Sequence, residues 1–296
     1  MKGNSELGAR SERARLASVG RPAWPLRLGA FLFGLIWLLI VVVPVYYMVL
    51  TSFRSDSQYL SDNPWLPIGG VSLSSYRTVF SGTGLATDFR NSIVLAAATV
   101  AVVVLASLAA AFRIVTRGSR FAAVSFRLLL FGLAVPIQAI VIPIFVLVTK
   151  LHIYDTLPTL VVVISASLIA VAVLLNVNYV RAIPKELFDA MAVDGANQHT
   201  VFFQLVLPMS RPIMAVVAIF AGLGAWNNFL LPLILTQSQN DSVLTLGLVK
   251  LSTVAQYGVD VPIVMAGVLL SVLPLVILYV GLHRQFVKGL GGLALR

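Results

Sequence analysis

The chain contains no cysteine and few charged residues. The absence of cysteine excludes disulfide bridges and thiolate metal sites. Charged residues occupy 11% of the 296 positions, whereas soluble domains carry about 25%. With 59% hydrophobic residues and a mean hydropathy of +0.96, this composition is typical of an integral membrane protein.

Acidic residues are especially scarce, and none falls within the long apolar runs. The eleven acids are Glu6, Glu12, Asp56, Asp62, Asp88, Asp155, Glu186, Asp189, Asp194, Asp241 and Asp260. Carriers that couple transport to protons typically use an ionisable relay inside the membrane, which these positions do not provide. The chain also lacks the G-x-x-x-x-G-K-[ST] loop that holds nucleotide phosphates. We therefore expect any uphill transport to draw its energy from a separate ATPase.

Catalytic and metal-binding arrangements are missing as well. The three histidines, His152, His199 and His283, show no metal-ligand spacing. No apolar run combines Ser, His and an acid in a way that would support hydrolysis. We predict a chain that is not an enzyme, with no catalytic residue, no metal site and no cofactor of its own.

Six apolar runs are long enough to cross a hydrocarbon core of about 30 Å. Only helices and closed barrels satisfy the backbone in lipid, and uninterrupted runs of this length are not barrel strands. The sequence thus predicts an all-α integral membrane domain over 28–282 with six transmembrane helices. The first run is too long for the apolar part of a signal peptide, so residues 1–27 are predicted to be a retained basic tail. The predicted spans are 28–50, 91–112, 125–149, 157–180, 212–235 and 261–282.

The basic residues indicate the orientation of the chain. If the amino terminus is cytoplasmic, sixteen of the 21 Lys and Arg residues lie on the cytoplasmic side. The asymmetry predicts that both termini are cytoplasmic, including a short tail over 283–296. The net charge of +10 is explained by this bias, since the basic residues flank apolar runs, and nucleic-acid binding is rejected.

A polar segment, 181–211, interrupts the apolar pattern between the fourth and fifth spans. Pro184 suits the first position of a helix, and Glu186 places negative charge in its first turn. Gly195 can adopt the left-handed conformation that ends a helix, and Asn197 can cap the next one. The segment is predicted to form two short helices separated by a turn. From these features alone, a structured connecting loop is the favoured interpretation.

The residues of this segment resemble the EAA motif of binding-protein-dependent ABC importer permeases. The matching stretches are Asp189-Ala190-Met191, Asp194-Gly195-Ala196 and Leu207-Pro208. Asp189 replaces the usual Glu and Met191 the usual second Ala. The resemblance implies a cytoplasmic helix that docks on an ATPase and transmits its motion to the spans. The residues it implies for this coupling are Glu186, Asp189, Ala190, Met191, Asp194, Gly195 and Ala196.

Other stretches look like the carbohydrate-uptake branch of these permeases, which includes the maltose transporter. They are residues 43–54, 136–143, 226–232 and 283–290. The resemblance implies a permease subunit in the cell membrane of a prokaryote, importing a sugar or short oligosaccharide. It also implies four kinds of partner, namely a second permease subunit, two ATPases that bind ATP and Mg, an extracytoplasmic solute-binding protein and the lipid bilayer. The alternatives are a different cargo, such as a polyamine, phosphate or opine, and an ion-coupled carrier.

Polar residues within the predicted spans are candidates for a substrate path. A sugar offers hydroxyl groups to amides and C–H faces to aromatic rings. The candidates are Gln138, Trp226, Asn227 and Asn228. The competing interpretation is that such amides hold helices together, at about 0.6 kcal/mol per contact. For Asn176 and Asn178, near the cytoplasmic end of their span, we favour the second interpretation.

Overall fold

The regular structure is helical throughout the part of the chain that the computed structural model describes, residues 24–66, 69–256 and 260–294. Most of the predicted amino-terminal tail lies outside these residues, as do the last two residues of the carboxy-terminal tail. The helices are α1 (Trp24–Ser52), α2 (Asp56–Ser61), α3 (Ser74–Ser81), α4 (Leu85–Arg117), α5 (Arg120–Gly132), α6 (Ile137–Lys150), α7 (Leu157–Arg181), α8 (Lys185–Val193), α9 (Gln198–Val201), a π-helix (Phe202–Val206), α10 (Leu207–Met209), α11 (Arg211–Trp226), α12 (Leu230–Leu235), α13 (Leu244–Gln256) and α14 (Val261–Ala294).

Four of these helices are long and apolar enough to cross a membrane singly. They are α4, α7, most of α1 (Leu28–Ser52) and the first part of α14 (Val261–Gly281). Two bent pairs bring the number of spans to six if each pair crosses once. The pairs are α5 with α6, bent by 105°, and Gln198–Met209 with α11, bent by 74°. The predicted all-α membrane fold is confirmed.

The sequence pattern predicted that the third and fifth apolar runs are continuous helices, but both are interrupted in the structure. In the third, Pro136 takes an extended conformation, with ψ 134°, and starts α6. Proline lacks an N–H group and disfavours helical geometry at the preceding residue, which breaks the run there. In the fifth, the side chain of Asn228 accepts a hydrogen bond from the N–H of Leu231 and starts α12. A side-chain acceptor of this kind competes with the helical backbone bonds.

The centre of the bundle is α4, which packs along α7 and α11. Val103 of α4, Ala172 of α7 and Val217 of α11 are fully buried in one apolar cluster. The amide of Asn176 on α7 donates to the hydroxyl of Ser107 on α4 at 2.9 Å. The interpretation of Asn176 as a contact between helices is therefore confirmed.

Asp88 lies within a helix and not in a loop, because α4 begins at Leu85, six residues before the predicted span. Leu85, Asp88, Ser92 and Leu95 have helical spacing and lie on the buried face of α4. Asp88 is only 1% exposed. Among the residues that the structure describes, neither of its carboxylate oxygens has a hydrogen-bond partner. Asp88 thus lies outside the predicted span of 91–112 but within the helix, on a buried polar face that hydropathy alone does not distinguish from a loop.

Two distant loops are tied together by the carboxylate of Asp155. The N–H of Gln237 donates to Asp155 Oδ1 at 2.8 Å, and the N–H of Ser238 donates to the same atom at 3.0 Å. Asp155 has a left-handed backbone, with φ 59°, and its own N–H donates to the carbonyl of Leu235. Burial raises the pKa of Asp155, but the hydrogen bonds from Gln237 and Ser238 outweigh it and hold the pKa below its ordinary value.

An Asp155→Asn variant is expected to melt a few degrees below the wild type at pH 7. Asparagine tolerates the positive φ, so the change removes the charge and weakens the hydrogen bonds without straining the backbone. A lowered pKa means that the carboxylate stabilises the folded state above its unfolded pKa of about 3.9 and less below it. The difference in melting temperature should therefore persist from pH 7 down to about 4 and shrink as the pH falls below that value.

The measurement is thermal unfolding of the purified protein in detergent from pH 7 downwards. Asp62→Asn serves as the control, because Asp62 is exposed and, among the described residues, its side chain accepts a hydrogen bond only from the neighbouring Ser61. A difference that stayed constant with pH would contradict an electrostatic contribution from Asp155.

Candidate functional site

The predicted first helix of the polar segment is α8. It starts directly after Pro184, which occupies the N-cap with ψ 133° and not the first helical position that was predicted. Glu186 lies in the first turn, as predicted. The missing N–H of Pro184 costs nothing at this position, because the first N–H groups of a helix have no partner within it.

The end of α8 is a complete Schellman turn, which confirms the left-handed conformation predicted for Gly195. Its φ is +71°. The N–H of Gly195 donates to the carbonyl of Ala192 at 3.1 Å, and the N–H of Ala196 donates to that of Met191 at 2.9 Å. These two bonds satisfy carbonyls that the helix end would otherwise leave open. They also set the direction in which the chain leaves α8.

Asn197 caps the next helix, as predicted. Its side-chain oxygen accepts the N–H of Thr200 at 2.9 Å. The two predicted short helices are therefore present, with a turn of four residues between them.

The two faces of α8 differ in exposure. Glu186, Asp189, Ala190 and Asp194 are exposed, whereas Met191 is half-buried. The apolar side chain most open to solvent is Val193, at 87%. The motif resemblance had not singled out Val193, although this residue directly precedes the Asp194-Gly195 turn in the sequence.

The opposite face of α8 is anchored to the bundle. Phe188 packs on a buried cluster that includes Phe112 of α4, Val177 of α7 and Val206 of the π-helix. Beside this contact lies a cavity of about 460 Å³. Asp189, Arg181 and Gln198 line it together with Phe112 and other apolar residues. Two predicted site residues, Asp189 and Ala196, thus border the gap between α8 and the membrane helices.

The chain returns from α8 to α11 through the π-helix. The ring of Phe202 lies 5.4 Å from that of Phe112 and 5.1 Å from that of Phe203. The N–H of Leu207 donates to the carbonyl of Phe202, which is the wider spacing of a π-helix. Such turns are rare and occur often at functional sites. No signal in the sequence predicted this one.

The four candidate path residues fall into two groups. Gln138 at the start of α6 and Asn227 at the end of α11 are exposed and lie at helix breaks. Ile137, next to the first break, and Leu231, after the second, belong to one apolar cluster. Trp226 is 7% exposed and donates its Nε1–H to the carbonyl of Ser271 at 3.2 Å.

Asn228 forms one hydrogen bond through its side chain and another through its backbone carbonyl. Its side chain starts α12, and its carbonyl accepts the hydroxyl of Thr245 at 2.9 Å. Both Asn228 and Trp226 therefore position the break at Asn227, whatever else they contact.

Most of the chain matches a known protein family. The sequence model of a family described as the inner membrane component of binding-protein-dependent transport systems matches residues 102–292. The chain belongs to this family. The matched range includes α7, the whole of α8 and the Schellman turn at Gly195.

Curated relatives of this permease match over most of their length. The arabinooligosaccharides transport system permease protein of Halalkalibacterium halodurans is 31% identical over 254 residues, covering 85% of the chain and 90% of that protein. The diacetylchitobiose uptake system permease protein of Streptomyces coelicolor is 28% identical, covering 85% of the chain and 83% of that protein.

A solved structure confirms the fold of the permease. A chain from a bacterial ABC transporter involved in the import of the acidic polysaccharide alginate superposes with a TM-score of 0.79 at 19% identity. The match covers 90% of the permease and all of that chain. A second structure, of the alginate transporter in complex with a periplasmic protein that carries an alginate pentasaccharide, gives a TM-score of 0.67 at 15% identity.

Proposed function

We propose that the permease is one membrane subunit of an ATP-driven importer for a sugar or short oligosaccharide. The observation that carries this proposal is the exposed helix α8, held to the bundle on one face and ended by the Schellman turn at Gly195. Its sequence resembles the coupling motif of such importers. The names of the relatives, which refer to arabinooligosaccharides and diacetylchitobiose, support a neutral carbohydrate as the cargo.

In this proposal α8 faces the cytoplasm and binds an ATPase. Glu186, Asp189 and Asp194 offer negative charge on its exposed side, and Leu187 and Val193 offer apolar surface. Ala190 lies on the same exposed side, while Met191 and Ala196 support the turn from within. Two ATPases hold ATP and Mg, and this chain carries out no chemistry.

Motion of the ATPases would reach the membrane helices by two routes. One route is the packing of Phe188 on the cluster of Phe112 and Val177. The other follows the chain from Gly195 through the π-helix into α11. A packed core changes between discrete arrangements and does not deform continuously. A shift of α8 is therefore expected to move α4, α7 and α11 together.

The cargo would pass the helix breaks at Gln138 and Asn227. At both places a side-chain amide is exposed where regular backbone bonding stops, so polar groups are open to a sugar hydroxyl. Trp226 and Asn228 are proposed to shape this path from behind. A second permease subunit would complete the path, and an extracytoplasmic binding protein would deliver the sugar.

Reconstitution with its partners tests the proposed function. We expect the complex of two permeases and two ATPases in liposomes to hydrolyse ATP faster when a sugar-loaded binding protein is added outside. The matched control is the same binding protein without sugar. Failure of every sugar-loaded binding protein encoded beside the permease to stimulate hydrolysis would refute sugar import. Uptake driven by an ion gradient without any ATPase would instead identify an ion-coupled carrier.

A further inference from the structure

A second cavity lies at the end of the bundle that carries α8. It has a volume of about 260 Å³ and separates the last turns of α4 from the first turns of α5. Arg113 and Arg117 of α4 line it together with Ile114, Phe121 and Leu129. The cavity therefore combines two guanidinium groups with an apolar interior.

The surrounding sequence is basic and free of acids. No Asp or Glu occurs between Asp88 and Asp155, whereas four arginines lie within the fifteen residues from 113 to 127. In the part of the chain that the structure describes, neither Arg113 nor Arg117 forms an ion pair. Arg113 donates one hydrogen bond, to the side chain of Gln198. A guanidinium has five N–H donors, so most of the donors of these two arginines remain available.

An exposed apolar stripe on α5 continues from this cavity. Phe121, Val124, Leu128 and Phe131 are 81%, 45%, 64% and 72% exposed. Their spacing of three and four residues places them on one side of the helix. The stripe starts at Phe121, which also lines the cavity. Cationic groups followed by an exposed apolar strip match a phosphate headgroup followed by acyl chains.

We propose that the cavity and stripe bind an anionic phospholipid of the cytoplasmic leaflet. Arg113 and Arg117 bind the phosphate, Ile114 and Leu129 contact the glycerol end of the acyl chains, and the stripe on α5 holds the chains further on. Charge complementarity favours this occupant, because the cytoplasmic leaflet is anionic and basic pockets at the ends of membrane helices bind its headgroups. The inference rests on the proposed orientation of the permease.

The proposed lipid site is connected to the polar segment, residues 181–211, through Arg113. The hydrogen bond from Arg113 ends on Gln198, the first residue of α9 and three residues after Gly195. An occupied site holds Arg113 in place and supports the turn that follows α8. Binding-protein-stimulated ATP hydrolysis should consequently be higher in membranes that contain anionic lipid.

The test uses the complete transporter in nanodiscs of phosphatidylcholine, with or without about 30 mol% phosphatidylglycerol, a proportion that gives an anionic surface. Native mass spectrometry counts the phosphatidylglycerol molecules that stay bound after release from the disc. The double variant Arg113→Gln/Arg117→Gln should lower the preference for phosphatidylglycerol by on the order of tenfold. Arg127→Gln is the matched control, since Arg127 lies on α5 but outside the cavity lining, and it should retain the wild-type preference.

Each outcome of this test has one meaning. Equal retention of phosphatidylglycerol by the wild type and the double variant would overturn the proposal, and so would complete displacement of the lipid by inorganic phosphate. Stimulated hydrolysis by the double variant in pure phosphatidylcholine shows that the variant is folded. If sugar-loaded binding protein stimulates no sample, the proposed function fails, while the lipid count still decides the lipid site.

Discussion

A Gly195→Val variant is expected to lose at least nine-tenths of the ATP hydrolysis that sugar-loaded binding protein stimulates, about 1.4 kcal/mol of coupling free energy or more. Gly195 has φ +71°, and no heavy atom lies within 4 Å of the place where its Cβ would stand. The effect is therefore conformational and not a clash. A left-handed residue with a side chain costs roughly 1–2 kcal/mol, and branching at Cβ makes this region still less accessible.

The backbone strain that valine introduces at position 195 is expected to change the direction of the chain after α8. If the substituted valine relaxes to a negative φ, the two Schellman hydrogen bonds to Ala192 and Met191 break. The chain then leaves α8 at another angle, and the link to the π-helix and α11 is lost. The measurement is ATPase stimulation in reconstituted complexes, with assembly checked by size-exclusion chromatography.

Gly195→Asn is the matched control for the valine variant. Asparagine adds a side chain of similar size but tolerates the left-handed region. It should keep most of the stimulation, because the space around the position is open. A valine variant that assembles and couples like the wild type would show that the Schellman turn is not the coupling element.

Among glycine-to-alanine changes at the glycines that the structure describes, Gly247→Ala is expected to destabilise the permease most. The added Cβ would overlap Oδ2 of Asp88 and lie 2.7 Å from Cδ1 of Leu85. Asp88 is itself buried, so its side chain has little room to move away. Overpacking of this kind costs typically about 1–3 kcal/mol. The variant should give a lower yield of folded protein and a lower melting temperature in detergent.

Two further variants separate the clash from a general intolerance of alanine. Asp88→Ala combined with Gly247→Ala removes the carboxylate and should recover part of the lost stability, giving a favourable coupling in a double-mutant cycle. Gly267→Ala should be milder, because its Cβ would meet only side-chain atoms of leucines at 3.2 and 3.3 Å. A double variant less stable than Gly247→Ala alone would contradict the direct contact between α4 and α13.

Several features of the site were predictable because they depend only on residues that are close in sequence. The left-handed Gly195 and the cap at Asn197 follow from the backbone preferences of glycine and from a side chain that reaches three residues ahead. The membrane class and the helical fold follow from the apolar runs. The bend of 105° at Pro136 was not predicted, because residues 125–149 were predicted to form one span.

Features that depend on distant residues were not predictable. The amide of Asn91 donates to the carbonyl of Asn240, 149 positions away, which makes the start of α4 a buried polar face. Trp226 was a candidate for the substrate path because it adjoins two amides. Its bond to Ser271 and its edge contact with Phe89, at 5.7 Å, instead place it in the core.

The sequence by itself determined that this protein is a helical membrane permease with a two-helix segment between its fourth and fifth apolar runs. Hydropathy and backbone torsion are properties of a few consecutive residues, so they can be read along the chain. Only the tertiary structure decided which polar residues are buried, such as Asp88, and which site residues face outwards, such as Val193. Burial depends on which distant parts of the chain pack against a residue, and no single stretch of sequence determines that packing.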